Sequence, residues 1–320
     1  MKRKLLILGG SGFIGTNLRE RFLKNPSYEV YATYRDKKPA GGKGVQWVEA
    51  DLTVSREVTK AVRGMDVIIQ AAATTSGARD ILEHPYLHVT DNAVMNALLF
   101  RACFEEKVKH VIFFSCTTVY LPQEAPVKEE DLKGEVYGKY FGGGWTKIYN
   151  EKMCEFYSRI SETKYAVIRH SNIYGPHDKF DLNKSHVFGA TVTKVLQARE
   201  NEKILVWGDG SEERDLLYID DLLSFVEKVL EKQQDRFELV NVGRGINISI
   251  KELNEKIIAA SGKNLGMEFD PSKPSIGFNL KINCDRARKK YGWTPEITLD
   301  EGIRKTLAWV RSQAKTQGHS

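Results

Sequence analysis

The chain opens on a stretch that leaves few folds open to it. Lys4 to Leu8 form an apolar run of strand length, Gly9, Gly12 and Gly15 follow at intervals of three, and Asn17 to Lys24 continue with helical periodicity. A buried strand that turns through glycines into a helix makes a ready phosphate site. The helix N-terminus offers unpaired N–H groups and the positive end of its dipole, and glycines let backbone approach an anion closely. A glycine triplet alone would serve any tight turn. Here the strand is the first element of the chain and a second strand follows at the right distance, so Gly9, Ser11, Gly12, Phe13, Ile14 and Gly15 are expected to cradle a dinucleotide.

Composition narrows the classes. With 320 residues and 41% apolar content, the chain suits one large α/β unit with a smaller appended region. It has no apolar stretch of about 18 residues, so no membrane span is expected. The strand-like start does not read as a signal peptide. The four cysteines, Cys103, Cys116, Cys154 and Cys284, lie far apart without metal-ligand spacing. They read as reduced thiols of a cytoplasmic protein, with no metal site. The net charge of +6 is dispersed, which suits an anionic small molecule better than nucleic acid.

Strands and helices alternate. Glu29–Tyr34 reads as the second strand and is followed by Arg35, Lys37 and Lys38. Basic residues there fit the 2′-phosphate of NADP, where an acid would favour NAD; NADP is preferred, with NAD as the alternative. Val45–Ala50 is a third strand ended by Asp51 and Leu52. Asp51 either binds the adenine amino group or caps a helix beginning near Ser55. Asp66–Ala73 is a fourth strand, and Ala71, Ala72 and Ala73 would pack closely on a cofactor. A helix over Asn92–Cys103 and a fifth strand over His110–Ser115 complete a doubly wound parallel sheet, the Rossmann arrangement.

Farther on come Ser115-Cys-Thr-Thr-Val-Tyr120, Lys147-Ile-Tyr-Asn-Glu151, Arg169-His-Ser-Asn-Ile-Tyr-Gly-Pro176, Arg214-Asp-Leu-Leu-Tyr-Ile-Asp-Asp221 and Asp285-Arg-Ala-Arg-Lys-Lys-Tyr-Gly-Trp-Thr-Pro295. Taken in order with the glycine turn, these segments resemble the extended short-chain dehydrogenase/reductases of the nucleotide-sugar epimerase/dehydratase family, over almost the whole chain. Asn172 to Phe180, with Ser185, His186 and Val187, is similar to the GDP-fucose synthase branch, whose enzymes epimerise and reduce a GDP-4-keto-6-deoxy hexose with NADPH.

The resemblance implies a catalytic Ser or Thr after the fifth strand, then a Tyr and a Lys four apart on the next helix. Lysine lowers the pKa of a phenol that is otherwise a poor base, and a spacing of four puts both on one helix face. The lysine is Lys147. The tyrosine position is Gly143, inside the run Gly142-Gly143-Gly144, and the Ser/Thr position is Cys116. Either another group supplies the acid/base (Tyr137, Tyr140, His186, or a thiol or hydroxyl among Cys116, Thr117 and Thr118), or substrate and solvent handle the proton, or the protein binds without turnover. An introduced substitution is a further alternative. The glycines are expected either to form a loop, the helix starting near Thr146, or to leave open space beside the nicotinamide.

The branch's epimerising cysteine and histidine align with Thr118 and His186, and threonine is a poor base, which weakens the case for epimerisation. The resemblance also implies that Asn92 and Lys147 meet the cofactor, and that Asn172, His186, Val187 and Arg214 meet the substrate, Arg214 at the diphosphate. Asp215, Asp220 and Asp221 are expected to hold loops. Lys281 to Arg286 are placed near the nucleotide, and Trp207 and Trp293 in the core.

Residues 1–176, with 215–243 returning, should form the dinucleotide-binding domain, and 177–214 with 244–320 the sugar-nucleotide domain. A homodimer is expected. The reading is NADP-dependent reduction at C4 of a GDP-4-keto-6-deoxy sugar. The alternatives are a C4 dehydrogenase or epimerase with tightly bound NAD(H), or a non-catalytic binding protein.

Overall fold

A computed structural model describes residues 1–39, 41–74, 83–182, 185–273 and 276–317. The strands are β1 (Arg3–Leu8), β2 (Tyr28–Tyr34), β3 (Gln46–Glu49), β4 (Val67–Gln70), β5 (His110–Cys116), β6 (Lys164–His170), β7 (Asn172–Tyr174), β8 (Lys203–Trp207), β9 (Glu213–Tyr218), β10 (Phe237–Val242), β11 (Asn247–Ser249) and β12 (Gly266–Asp270). The helices are α1 (Phe13–Phe22), α2 (Ser55–Val62), α3 (Thr90–Glu105), α4 (Phe141–Ile160), α5 (Val187–Gln197), α6 (Ile219–Lys232), α7 (Ile250–Ser261), α8 (Asp285–Tyr291) and α9 (Leu299–Gln317).

Seven strands form one sheet in the order β10-β6-β5-β4-β1-β2-β3, every neighbouring pair parallel. The strands read as continuous apolar runs because both faces are covered. Leu5 and Ile7 of β1 join Val30, Ile112 and Ile168 under α1 and α6, while Leu6 and Leu8 join Ile68, Phe113 and Val167 under α2, α3 and α4. Successive side chains of a strand point to opposite faces, so one run feeds two cores. The Rossmann expectation holds. Two small sheets, β11-β9-β7 and β12-β8, carry the rest.

Two boundaries differ from expectation. β4 ends at Gln70 rather than Ala73, since Asn92 binds the backbone of Thr74 and draws the chain off the sheet. β10 lies at the outer edge of the large sheet, beside β6. The glycine run 142–144 is helical, not a loop, and α4 begins at Phe141. α9 runs to Gln317, and residues 318–320 lie outside the described residues. α7 ends as its sequence indicates, at Gly262 with φ +78°.

Candidate active site

The β1–α1 turn is shaped by the absence of side chains. Gly9 has φ +71°, and a Cβ there would lie 2.6 Å from the Ala72 backbone. A Cβ at Gly10 would lie 2.6 Å from that of Ala32, and one at Gly15 would strike the Gly9 carbonyl oxygen. Gly12 precedes α1 with no side-chain cap, so the leading N–H groups of the helix have no side-chain acceptor. Ser11 and Gly12 are exposed; Phe13 and Ile14 are half-buried at the core's margin. This is a cradle that only glycines leave open, and it fits the pyrophosphate of a dinucleotide.

Around it, Arg35 stands in solvent just past β2, paired with Asp36 at 3.2 Å. Asp51 does not cap α2, whose N-cap is Val54 without a side-chain bond; its Oδ1 instead accepts from the Thr53 backbone at 2.8 Å and hydroxyl at 2.7 Å, a local turn that holds the carboxyl below the usual range. Leu52 packs on the α2–α3 core, and Ala72 abuts the glycine turn between Ala71 and Ala73. Asn92, expected at the cofactor, is engaged by the protein backbone. Its oxygen accepts from Thr74 N at 3.0 Å and its NH2 donates to Thr74 O and His88 O, so the amide is spent on fixing the loop after β4.

Lys147 extends from α4 across the Phe113 ring, 4.9 Å from its centroid, and its Nζ donates to Phe114 O at 2.7 Å. Burial lowers this ammonium, while the charges of Cys116 and Glu151 raise it. One turn earlier on the same face, a Cβ at Gly143 would meet no atom within 4 Å. The flanking glycines are packed instead: a Cβ at Gly142 would lie 2.7 Å from Val89 Cγ2, and one at Gly144 3.0 Å from Val136 Cγ1. The open-space reading of the glycine run therefore holds for its middle member alone.

β5 ends at Cys116 and passes into a short 3-10 turn over Thr117–Val119. That turn brings Cys116 Sγ to 2.8 Å from Thr118 Oγ1. Ser115 and Arg169, register partners on β5 and β6, both bind Glu151 of α4. Cys116 and His170, the next register pair, therefore project from the opposite side of the sheet. His170 was not singled out from the sequence; its signal was a titratable residue inside the Arg169–Pro176 motif. Its Nδ1 donates to Ser171 O at 2.7 Å, leaving the lone pair on Nε2. Burial, with Lys147 and His186 nearby, lowers the imidazole to about 4.

His186 occupies the N-cap position of α5 without a side-chain cap bond, and desolvation, followed by the charges of Lys179, His88 and Arg214, lowers its imidazole. Val187 begins that helix and packs on the core. Tyr137 donates to Ile276 O at 3.1 Å. Tyr140 packs edge-on to Phe278, ring centroids 5.2 Å apart, and burial lifts its phenol to about 12.

A strap over 276–282 roofs the cleft. Ile276, Phe278, Leu280 and Ile282 alternate inward, and the strap is tied by Lys139 Nζ to Ile276 O at 2.9 Å and by Glu213 N to Asn279 Oδ1 at 2.9 Å. Arg214, expected at the diphosphate, is engaged within the protein. Its fork donates to Glu212 at 2.5 Å, Glu213 O at 2.7 Å and the strap's Phe278 O at 2.9 Å. Asn172 donates to Asp215 O at 3.1 Å. Between Thr117, Asn172, Arg214 and the strap remains a cavity of about 20 Å³, room for about one water.

Asp215 and Asp221 hold loops, accepting from Arg244 and Gly245 N–H and from Glu296 and Ile297 N–H respectively. Arg286 lies away from the cleft, donating to Leu239 O and Glu130. Trp293 is core; Trp207 is surface, 39% exposed under Lys194. Among the described residues no group of three or more His, Cys, Asp or Glu is placed to hold a metal ion, and no helix is long and apolar enough to cross a membrane.

A parallel sheet with a glycine cradle at its first strand, and a buried lysine reaching the end of its fifth, defines a nicotinamide-dinucleotide enzyme of the short-chain dehydrogenase/reductase type. Residues 5–243 match the NAD dependent epimerase/dehydratase family, and the chain belongs to it. It is 28% identical over 317 residues to GDP-L-colitose synthase of Yersinia pseudotuberculosis, covering 97% of this chain and 98% of that protein. It is 27% identical over 332 residues to GDP-L-fucose synthase of Escherichia coli K12, covering 99% of each. Among solved structures, UDP-glucose 4-epimerase of Thermotoga maritima with UDP-glucose superposes with a TM-score of 0.86 at 22% identity, over 97% of this chain and 99% of that one, a likeness of fold.

Proposed function

We propose that this protein reduces the C4 carbonyl of a GDP-linked 4-keto-6-deoxy hexose, using NADPH. The observation that carries the reading is Lys147, fixed by Phe114 O beside an open position on its own helix face and at the end of the sheet where the glycine cradle lies. The likeness to the colitose and fucose synthases supports a GDP-linked sugar. Gly9, Ser11, Gly12 and the α1 N-terminus hold the pyrophosphate, Arg35 with Lys37 and Lys38 meets a 2′-phosphate, and Lys147 holds the nicotinamide ribose. When bound, the reduced nicotinamide supplies a hydride. Asn172, His186, Val187 and Arg214 face the sugar and its diphosphate, between the large sheet and segments 177–214 and 244–320. Thr118, a hydroxyl at the place of the epimerising thiol, leaves reduction as the main chemistry.

The protein acts in the cytoplasm, in keeping with its free thiols, and as a homodimer. Phe141, Trp145, Tyr149, Phe156 and Ile160 stand exposed along α4, beside Val94 and Phe104 of α3. That apolar face is continuous over two packed helices, and a second copy covers it.

The test is calorimetric titration with NADPH, NADH and GDP-, UDP-, CDP- and dTDP-linked sugars, then absorbance at 340 nm with a GDP-4-keto-6-deoxy hexose. NADPH oxidation supports the reading. Binding with no absorbance change at high enzyme concentration overturns it, and NMR of the products then separates a redox-neutral epimerase with bound NAD(H) from a binding protein.

A further inference from the structure

Carbonyl reduction needs a proton for the new alkoxide, and the position of the phenol is empty. The groups near Lys147 can be taken in turn. Glu151 is bound by Arg169 and by Ser115, whose hydroxyl is thereby used and fully buried. His170 donates its ring proton to Ser171 O and presents a lone pair, so at neutral pH it accepts rather than gives. Tyr140 packs under Phe278, and the charges acting on it are those of Arg214, Glu212, Cys116 and Tyr137. The hydroxyls of Thr117 and Thr118 hold their protons more tightly than a thiol does, which leaves, among the described residues, a transferable proton close to the carbonyl that holds Lys147. It is on Cys116, half-buried at the end of β5, two residues past the carbonyl that holds the lysine and 2.8 Å from the Thr118 hydroxyl.

We propose that Cys116 is the proton donor of this site, its thiol replacing the phenol missing at 143, with Lys147 stabilising the thiolate. The proposal rests on the reductase reading. As the carbonyl carbon gains its hydride, the S–H bond of Cys116 breaks and an O–H bond forms on the former carbonyl oxygen. The thiolate is left opposite the Lys147 ammonium. The Thr118 hydroxyl turns its proton toward the sulfur, and solvent entering the cleft restores the thiol. The carbonyl that fixes Lys147 Nζ, Phe114 O, stands two residues before Cys116 on the same strand.

Two experiments decide it. The first needs no cofactor: iodoacetamide labelling of the full chain at pH 7, read by peptide mass. Cys103 and Cys154 are buried with their thiols pushed up, and the Cys284 thiol is pushed up to about 12. Cys116 is therefore expected to react at least about tenfold faster than Cys284, and Lys147→Met to slow it several-fold without altering Cys284. An unchanged Cys116 rate in Lys147→Met overturns the proposal.

The second follows NADPH oxidation. Cys116→Ala lowers kcat by about 10²-fold with KM little changed. Cys116→Ser restores most of the rate and moves the alkaline limb of the kcat profile upward, a hydroxyl holding its proton more tightly than a thiol. Tyr140→Phe stays within about threefold. Full activity in Cys116→Ala, or an equal loss in Tyr140→Phe, overturns the proposal. If the wild-type protein oxidises NADPH with no nucleotide-linked 4-keto sugar, the reductase reading falls by itself, and the labelling result still decides the Lys147–Cys116 pair.

Discussion

Gly143 and Lys147 lie one turn apart on the same face of α4, and a Cβ at 143 would meet nothing within 4 Å. Gly143→Tyr should therefore fold, gaining about 0.5–1 kcal/mol from the removal of a helical glycine. It should also raise NADPH oxidation at least about tenfold by placing a phenol next to Lys147. Thermal melts and 340 nm kinetics test both. Gly144→Ala, which presses on Val136 and the Thr118 carbonyl, should lose stability instead.

The Arg169–Glu151 pair is 2% and 3% exposed, and Arg169 also donates to Tyr120. Arg169→Met leaves the Glu151 carboxylate buried without its guanidinium. Urea unfolding should show a loss of about 3–5 kcal/mol. A loss below about 1 kcal/mol would mean that Glu151 takes up a proton or water at little expense.

His110 is 4% exposed, its Nε2 donating to Gln233 Oε1 at 2.7 Å, and burial lowers it from 6.5 to about 4. The unfolded chain then binds a proton that the folded chain refuses. Stability from this group is complete above pH 6.5 and falls as pH drops from 6.5 toward 4, by about 3 kcal/mol. His170 adds to the same slope. Urea titrations at pH 7.5 and 4.5 should show a smaller difference in His110→Asn than in the wild type.

The Tyr165 hydroxyl is buried with no hydrogen-bond partner among the described residues. Tyr165→Phe removes an unmet polar group at constant shape and should stabilise by about 1 kcal/mol in denaturant melts. A loss of stability would point to a bound water.

Light scattering should find a dimer, and Tyr149→Lys with Phe156→Lys should give monomers that keep the fold. Monomeric wild-type protein at tens of micromolar would remove the second copy from the α4 face.

The first strand, its glycine turn and the buried parallel strands were legible because local pattern and tertiary role coincide there. The helical glycine run was not. Glycine propensity speaks for a loop, and the reason for helix is distant: Val89 and Val136 leave no room for side chains at 142 and 144. Lys147 was readable from its motif, whereas the partners of Asn92 and Arg214 depend on which way an amide or a guanidinium turns. The nearness of His170 to Cys116 is a register between strands more than fifty residues apart, which no local spacing encodes.

The strap has a consequence for selectivity. On the proposed reading, a ligand that reaches Arg214 takes its fork from Phe278 O and Glu212, and a molecule offering that arginine an anion displaces those bonds more readily than a neutral one. If the closed form is favoured by about 2 kcal/mol, apparent affinity for every ligand falls about thirtyfold. A diphosphate regains that loss through charge-assisted bonds, and a bare sugar has nothing with which to regain it. On that reading the hexose is admitted on the strength of the group it carries, before any part of the sugar is read.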